Sequence, residues 1–458
     1  MLKFGNKKGC AVGMKGNGCG LSGVMMLAGL LLAASEASAF TWKAKSTAAE
    51  KAALVDYLRR SEVTCAVVAP EHFAAELEAQ TNTTDWMQCA IDYGTKVLAA
   101  REGRDAADSA RRFALEVIDY PLHVDNYGPK ITSAEMSAFN DMVVRYARGA
   151  KDRVLGEVRA ARVPEGELWA WRIYNMAFIL KGPRHTVALD LTPRPQLIAK
   201  PYAELMKDFT AAVRANGGKT PQRLDFHAGA PQVWCPEDWT AFAEVVDVAF
   251  LTHPHGDHTS EPFLREMIRL GKPVVLPGDV TTYVEVPGKP QGERVPFTTG
   301  PSCIRLLEDH AEPVDVAGIG VRNFRGYQDD VPCNVYVLDI DGVRVVDNGD
   351  NYDRGKEKLV SQVPPADLII ASTWNSVHHI LGCVQAAPGF DMSRAAFLPA
   401  HENELGHSVG HRESYHEMYT TPERLGKPAF PLKRTFPLGW GECFRWSAPN
   451  PLRSDGKK

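Results

Sequence analysis

The stretch Thr252-His253-Pro254-His255-Gly256-Asp257-His258 gathers three imidazoles and a carboxylate into six consecutive positions, directly after an apolar run ending at Leu251. Imidazole nitrogen and carboxylate oxygen are the donors that a borderline-soft divalent ion such as Zn²⁺ takes. Two imidazoles two residues apart on a tight turn can converge on one ion, here through His253 and His255. Asp257 and His258 then turn the other way, towards a second ion. A lone histidine is commonly a surface or core residue, but a group this dense is costly to keep together unless something binds it. The chain has fourteen histidines, and ten of them lie between positions 253 and 416.

His-x-His-x-Asp-His after a hydrophobic strand resembles the signature of the metallo-β-lactamase superfamily. Two later stretches fit the same family in the same order. Val343-Arg344-Val345-Val346-Asp347-Asn348-Gly349-Asp350 resembles the family's strand ending in Gly-Asp, whose carboxylate bridges two metals. That match makes Asp350 the bridging ligand, with Asp347 as the competing choice. Phe397-Leu398-Pro399-Ala400-His401 resembles the last strand, which delivers a histidine to the second metal, although His401 also suits a hydrogen-bonded turn. The pattern makes physical sense without the family. Three times an apolar strand ends and a ligand follows: Leu251 then His253, Val346 then Asp350, Leu398 then His401. Strand ends of a packed sheet are rigid and hold such groups at fixed positions.

One ligand departs from the family. A further histidine is expected roughly twenty residues before the bridging aspartate by the resemblance, yet Arg325 to Asn334 contains none. Asp330, Asp329, Cys333 or His310 could replace it, with Asp330 nearest the expected chain position and His310 better suited to a structural role. The departure leaves a one-ion site open beside a two-ion site. Glu402, Asn403, Glu404, His407, His411 and His416 surround His401. Glu404 and His407 are candidates for orienting ligands or facing substrate. His378-His379 and Trp374-Asn375 are candidates for the pocket wall.

The resemblance covers about residues 170–440 and implies a four-layer αβ/βα sandwich, two sheets flanked by helices. It implies a hydrolase that uses a metal-bound hydroxide, with Asp257 orienting or deprotonating the water. Zn²⁺, one or two ions, is the expected cofactor, with Mn²⁺ or Fe as other choices. Zn²⁺ lowers the pKa of bound water towards ~7. No Gly-x-Ser-x-Gly stretch offers a serine nucleophile instead. The expected substrate is a small molecule: an ester, lactone, lactam or phosphodiester. A β-lactamase proper, or a non-catalytic metal-stabilised binding protein with a partly decayed site, are the alternatives. Fold likeness does not choose among them.

The rest of the chain must hold these strands in place. Residues 167–445 alternate short apolar runs with turns and helices, as a layered α/β or α+β domain does. Residues 173–180 and 186–190 read as a hairpin around Gly182-Pro183. Strands are expected at 245–251, 273–276, 335–340, 343–346, 368–371 and 395–398, with a helix over 261–270 and a Pro/Gly-rich loop over 287–301. Residues 40–163 read as a small helical domain without visible chemistry. There Thr47-Ala48-Ala49-Glu50 fits a capping box, and Trp86, Ala90, Tyr93 and Val97 recur at helical spacing.

Residues 1–39 read as a signal peptide. Lys3, Lys7, Lys8 and Lys15 precede an apolar run from Leu21 to Ala34, and Ala37-Ser38-Ala39 offers the small residues a signal peptidase reads. The mature chain would begin at Phe40 in the periplasm or outside the cell, with no membrane anchor after cleavage. It would carry 48 basic against 55 acidic residues. With no basic tract, nucleic acid is excluded as a partner. Seven cysteines would remain, an odd number, with Cys65 and Cys89 close enough in sequence to pair. Residues 446–458 form a polar tail.

Overall fold

The computed structural model describes residues 45–448 apart from 65–66, 81, 83, 129–130, 193–194, 196, 219–228, 285–292, 329, 352–362, 374–376 and 425–429. The first part is helical: α1 (Thr47–Arg60), α2 (Pro70–Ala79), α3 (Asp85–Ala99), α4 (Ser109–Leu122) and α5 (Ser133–Ala160). Buried Trp86, Ala90, Tyr93 and Val97 form the inner stripe of α3, as their spacing predicts. At Gly94 a Cβ would lie 2.6 Å from Ile118 Cγ1, so the glycine lets α3 and α4 approach closely. The cap of α1 lies one residue earlier than expected. Ser46 accepts from the Ala49 amide, because a serine with extended backbone precedes the threonine. The reciprocal capping box falls instead on Thr132 and Glu135, at the start of α5.

Two sheets follow. The first is ordered β15-β1-β2-β3-β4-β5-β8 and the second β14-β13-β12-β11-β10-β9. The first sheet comprises β1 (Glu167–Tyr174), β2 (Ala177–Lys181), β3 (Thr186–Leu189), β4 (Val248–Phe250), β5 (Val274–Leu276), β8 (Cys303–Arg305) and β15 (Cys443–Ser447). The second comprises β9 (His310–Val316), β10 (Ile319–Gln328), β11 (Val331–Ile340), β12 (Val343–Asp347), β13 (Leu368–Ser372) and β14 (Ala396–Ala400). A separate ribbon pairs β6 (Thr281–Val284) with β7 (Glu293–Pro296), and β7 falls inside the 287–301 segment expected to be a loop.

Side-chain alternation sorts the core into layers. Leu168, Ala170, Phe178 and Leu180 of the first sheet meet Tyr336, Leu338, Val345 and Ile370 of the second in one buried cluster. On the far side of the first sheet, Trp171, Ile179 and Ala249 join a cluster with Leu54, Phe113, Val143 and Val154 of the leading helices. That cluster also takes Phe242 of α7 (Pro236–Val245) and Met267 of α8 (Glu261–Arg269). On the far side of the second sheet, Val335, Val337 and Ile369 pack against Ile380, Leu381 and Val384 of α9 (Val377–Ala386). The order is helix, sheet, sheet, helix, the sandwich expected. α6 (Tyr202–Ala215) and α10 (Tyr415–Arg424) complete the helices of the described residues.

Three readings shift. Residues 173–180 are not one strand arm: Tyr174 pairs with Ala177 across a tight turn, where Asn175 takes a left-handed φ of 48°. The 245–251 strand contracts to β4, because Val245 closes α7. Strands β9 and β10 went unread, since Pro313, Arg322, Asn323 and Arg325 break any apolar alternation. Among the described residues no disulfide joins Cys89, Cys235, Cys303, Cys333, Cys383 or Cys443, and Cys65 lies outside them. Among the described residues no helix is long and apolar enough to cross a membrane; the apolar run 21–34 lies outside them.

Candidate metal centre

Strands β3 and β4 run parallel, as do β12, β13 and β14, so both sheets bring carboxyl-terminal ends to one edge of the sandwich. Asp190 follows β3 and His253 follows β4. From the facing sheet, Asp350 follows β12 and His401 follows β14. Two hydrogen bonds fix the separation of the sheets at this edge. The Asn334 amide donates to the Thr252 carbonyl at 2.9 Å, and the Tyr336 hydroxyl donates to the Leu251 carbonyl at 2.9 Å. Gly349 turns the chain towards Asp350 at φ 51°, and a Cβ there would stand 2.6 Å from Thr252 Oγ1.

Asp257, His258, Asp350 and His401 are all buried, and each offers a donor atom within 4.8 Å of the others. Asp350 Oδ2 lies 3.2 Å from His258 Nε2 and 3.0 Å from His401 Nε2. Asp257 Oδ2 lies 3.5 Å from each of those two nitrogens. Bonds of about 2.1 Å in tetrahedral array put neighbouring donors roughly 3.4 Å apart, so this quartet has the dimensions of one ion's shell. His253 Nε2 and His255 Nδ1 stand 3.1 Å apart, a second pair with the same spacing. Asp350 has one further resource, because its Oδ1 is buried without a hydrogen-bond partner.

The surroundings fix the imidazoles. Asp190 Oδ2 accepts the ring N–H of His258 Nδ1 at 2.7 Å, which leaves Nε2 facing the other carboxylates. The same aspartate accepts from the Thr252 amide at 2.7 Å and from its hydroxyl at 2.5 Å. Thr252 Oγ1 in turn lies 3.1 Å from His253 Nδ1. Burial works against charge on His258 and His401, yet the carboxylates of Asp350 and Asp257 outweigh it and raise both well above the usual imidazole range. The two imidazoles reciprocally hold Asp257 and Asp350 ionised, below the usual carboxylate range despite their burial. Burial lowers His253 and His255 and keeps them neutral, as metal donors must be. Buried carboxylates that draw two imidazoles into the charged form, with two further imidazoles held neutral beside them, make a donor set whose charge a divalent cation could balance in place of those protons.

The centre therefore assembles His253, His255, Asp257, His258, Asp350 and His401. Asp347 is not among them. It accepts from the Gly349 amide at 3.1 Å, and burial and Asp190 raise it well above the usual range. Asp330 is exposed at the β10–β11 turn and belongs to neither donor group, and Asp329 lies outside the described residues. His310 stands in edge strand β9, opposite Asn323. Cys333 is buried with Sγ 3.8 Å from His253 Nδ1, on the other side of that ring from His255.

Around His401, Glu404 accepts from Tyr174 and from the amides of Gly406 and His407, so it shapes the loop. The His407 ring lies 5.8 Å from that of His401. Glu402 forms a buried ion pair with Arg172 at 2.7 Å. His411 is exposed, and His416 bonds Glu116 of α4 at 3.0 Å. The side chains of Trp374, Asn375, His378 and His379 lie outside the described residues. The leading helices brace this loop. Asp119 of α4 accepts from Asn403 Nδ2 and from the amides of Tyr415 and His416, each at 3.0 Å. Arg412 donates to the Leu122 carbonyl and to Asn126.

Three participants were missed in the sequence: Asp190, Gln328 and Asn175. Asp190 obeys the strand-end rule that picked out the others, since it follows Leu189, and that rule could have found it. Gln328 Nε2 donates to Asp350 Oδ2 at 3.1 Å from the end of a strand that was not read. Asn175 donates to the Asp257 carbonyl at 3.0 Å from the unexpected turn.

Four layers, with ligand-type residues at the carboxyl ends of facing strands, decide the architecture. The chain is a four-layer αβ/βα sandwich. No protein-family model matches the sequence, and no curated protein matches it either. Solved structures are similar to it at a distance. A metallo hydrolase from Ignicoccus hospitalis is 13% identical with a TM-score of 0.33, covering 62% of this chain and 100% of its own. The metallo-β-lactamase-fold protein YhfI from Bacillus subtilis is 12% identical with a TM-score of 0.31, covering 61% and 100%. A variant of the CmlA β-hydroxylase is 14% identical with a TM-score of 0.31, covering 71% of this chain and 62% of its own. Likenesses this distant name no activity for this chain.

Proposed function

We propose that this chain is a divalent-metal-dependent hydrolase of small molecules, acting on an ester, lactone, lactam or phosphodiester. The observation that carries this reading is the buried quartet of Asp257, His258, Asp350 and His401 at the strand ends, at the spacing of a single ion's donors. Asp257, His258 and His401 would hold one ion, His253 and His255 the other, and Asp350 would touch both. A divalent ion held there supplies Lewis acidity and lowers the pKa of a coordinated water. The chain's own residues supply the rest. Asp257, kept ionised by His258 and His401, is the group suited to orient an attacking water. Asp190 fixes the tautomer of His258, and the Thr252 hydroxyl sits against His253. Zn²⁺ suits this mixture of nitrogen and oxygen donors.

Protein purified with metal supplementation is expected to hold one to two transition-metal ions per chain, by elemental analysis, and to hydrolyse a generic ester or phosphodiester. A chelator should remove the activity and added metal restore it. Absence of any bound transition metal would sink the reading. Bound metal with no hydrolysis across a broad substrate panel would favour a binding protein instead.

Export is a separate part of the proposal, supported by the basic start, the apolar run and Ala37-Ser38-Ala39. Residues 40–163 would then open the mature chain as a helical unit, ahead of the sandwich over 167–445. N-terminal sequencing of periplasmic or secreted material is expected to begin at Phe40. Full-length protein recovered from the cytosol contradicts it.

A further inference from the structure

We propose that Gln328 supplies the third protein donor of the first ion's site, through its side-chain amide oxygen. This rests on the two-ion reading above and assigns the position left open by the missing histidine.

The placement comes from the strand end. Gln328 is the last residue of β10, and the preceding amide, that of Tyr327, donates to Asn351 Oδ1 at 2.8 Å. Asn351 directly follows Asp350, so this bond ties the end of β10 to the carboxylate that both ions would share. Gly326 keeps the approach open, because a Cβ there would run into the Asn351 side chain. The Gln328 side chain then reaches the carboxylate that both ions would share. Its Nε2 donates to Asp350 Oδ2 at 3.1 Å. Its Oε1 is buried and has no hydrogen-bond partner. A buried amide oxygen left unsatisfied is costly, and a cation would satisfy it. The other candidates are elsewhere: Asp330 exposed on the turn, His310 on the edge strand, and Cys333 behind the His253 ring.

The chemistry follows from the donor. An amide oxygen is neutral and harder than imidazole nitrogen, so it binds a borderline ion more weakly and favours oxygen-seeking ions. The first site would therefore be the weaker of the two, and its preference would lean towards Mn²⁺ or Fe²⁺ relative to a three-histidine site.

Metal titration of the whole chain with Zn²⁺ and Mn²⁺, by calorimetry or chelator competition, tests this without recourse to activity. The wild type is expected to bind two ions with unequal affinity. Gln328→Ala should weaken the looser ion at least about tenfold and leave the tighter one unchanged, whereas Asp330→Ala should change neither. Gln328→His should tighten the looser site for Zn²⁺ and alter the visible spectrum of the Co²⁺-loaded protein. That gain guards against a mere folding defect in the alanine variant. Two ions bound by Gln328→Ala at wild-type affinity, or no tightening by Gln328→His, would overturn the assignment while leaving the metal centre intact. A wild type that binds no transition metal removes the proposed function as well, and the two failures are thereby distinct.

Discussion

Asp350→Ala is expected to lower affinity for both ions together and to remove hydrolysis, whereas His401→Ala should empty mainly one site. Asp350 Oδ2 faces His258 and His401 at 3.2 Å and 3.0 Å, and its Oδ1 is buried without a hydrogen bond. Asp350 thus presents one oxygen to the second ion's imidazoles and keeps the other, buried, without a partner. Loss of groups that only orient a ligand commonly costs ~10–100-fold in metal affinity, so loss of the shared ligand should cost at least that at each site. Titration of the two variants reads the difference directly. An Asp350→Ala protein with its full complement of metal and full activity contradicts the bridging role. In that event the neighbouring Asp347 would need to reach the ions, against its present place beside the Gly349 amide.

The second large effect concerns stability. Arg172 and Glu402 pair at 2.7 Å with both side chains fully buried, and Arg172 also donates to the carbonyls of Leu438 and Glu402. Removing one member of a buried pair leaves an uncompensated charge, a loss of about 3–5 kcal/mol. Arg172→Met is therefore expected to lower the free energy of unfolding by that much, bringing the urea midpoint down, and to loosen the loop that carries His401. Replacing both partners with apolar residues of similar volume should recover most of the loss, because neither charge then remains. Chemical unfolding of the single variant and the Arg172→Met/Glu402→Leu double variant separates the cases. A single variant as stable as the wild type contradicts the role given to the pair.

Much of the centre could be read from the sequence because its ligands follow a local rule. His253, Asp350 and His401 each come within a few residues of an apolar strand end, and the dense motif from His253 to His258 needs no tertiary information. Asp190 follows the same rule but stands alone in sequence, with no second ligand near it to raise its signal. Gln328 could not be found this way, since glutamine is an ordinary surface residue and β10 is interrupted by Arg322, Asn323 and Arg325. Asp330 lay close to the right chain position, but a two-residue difference around a hairpin turn separates the inside of the centre from solvent.

The leading helices show the opposite limit. Their 3.6-residue periodicity is plain in Trp86, Ala90, Tyr93 and Val97, and the helices form where it says. Their bearing on the site is not periodic at all. It runs through Asp119 to Asn403 and through Arg412 to Leu122 and Asn126, contacts across nearly three hundred residues of chain. Such pairs leave no local pattern, so a segment without visible chemistry proves to brace the loop that carries His401. The turn at Asn175 is a smaller case: its amide holds the Asp257 carbonyl, but only a left-handed backbone inside an apolar run reveals it.

The central claim is that one buried strand-end cluster holds a divalent ion. Anomalous diffraction from crystals of the Zn²⁺-loaded protein, recorded across the zinc edge, tests it most directly. A peak is expected within about 2.0–2.2 Å of His258 Nε2, His401 Nε2, Asp257 Oδ2 and Asp350 Oδ2. Anomalous density elsewhere in the molecule, with these four side chains in contact only with one another, would contradict it.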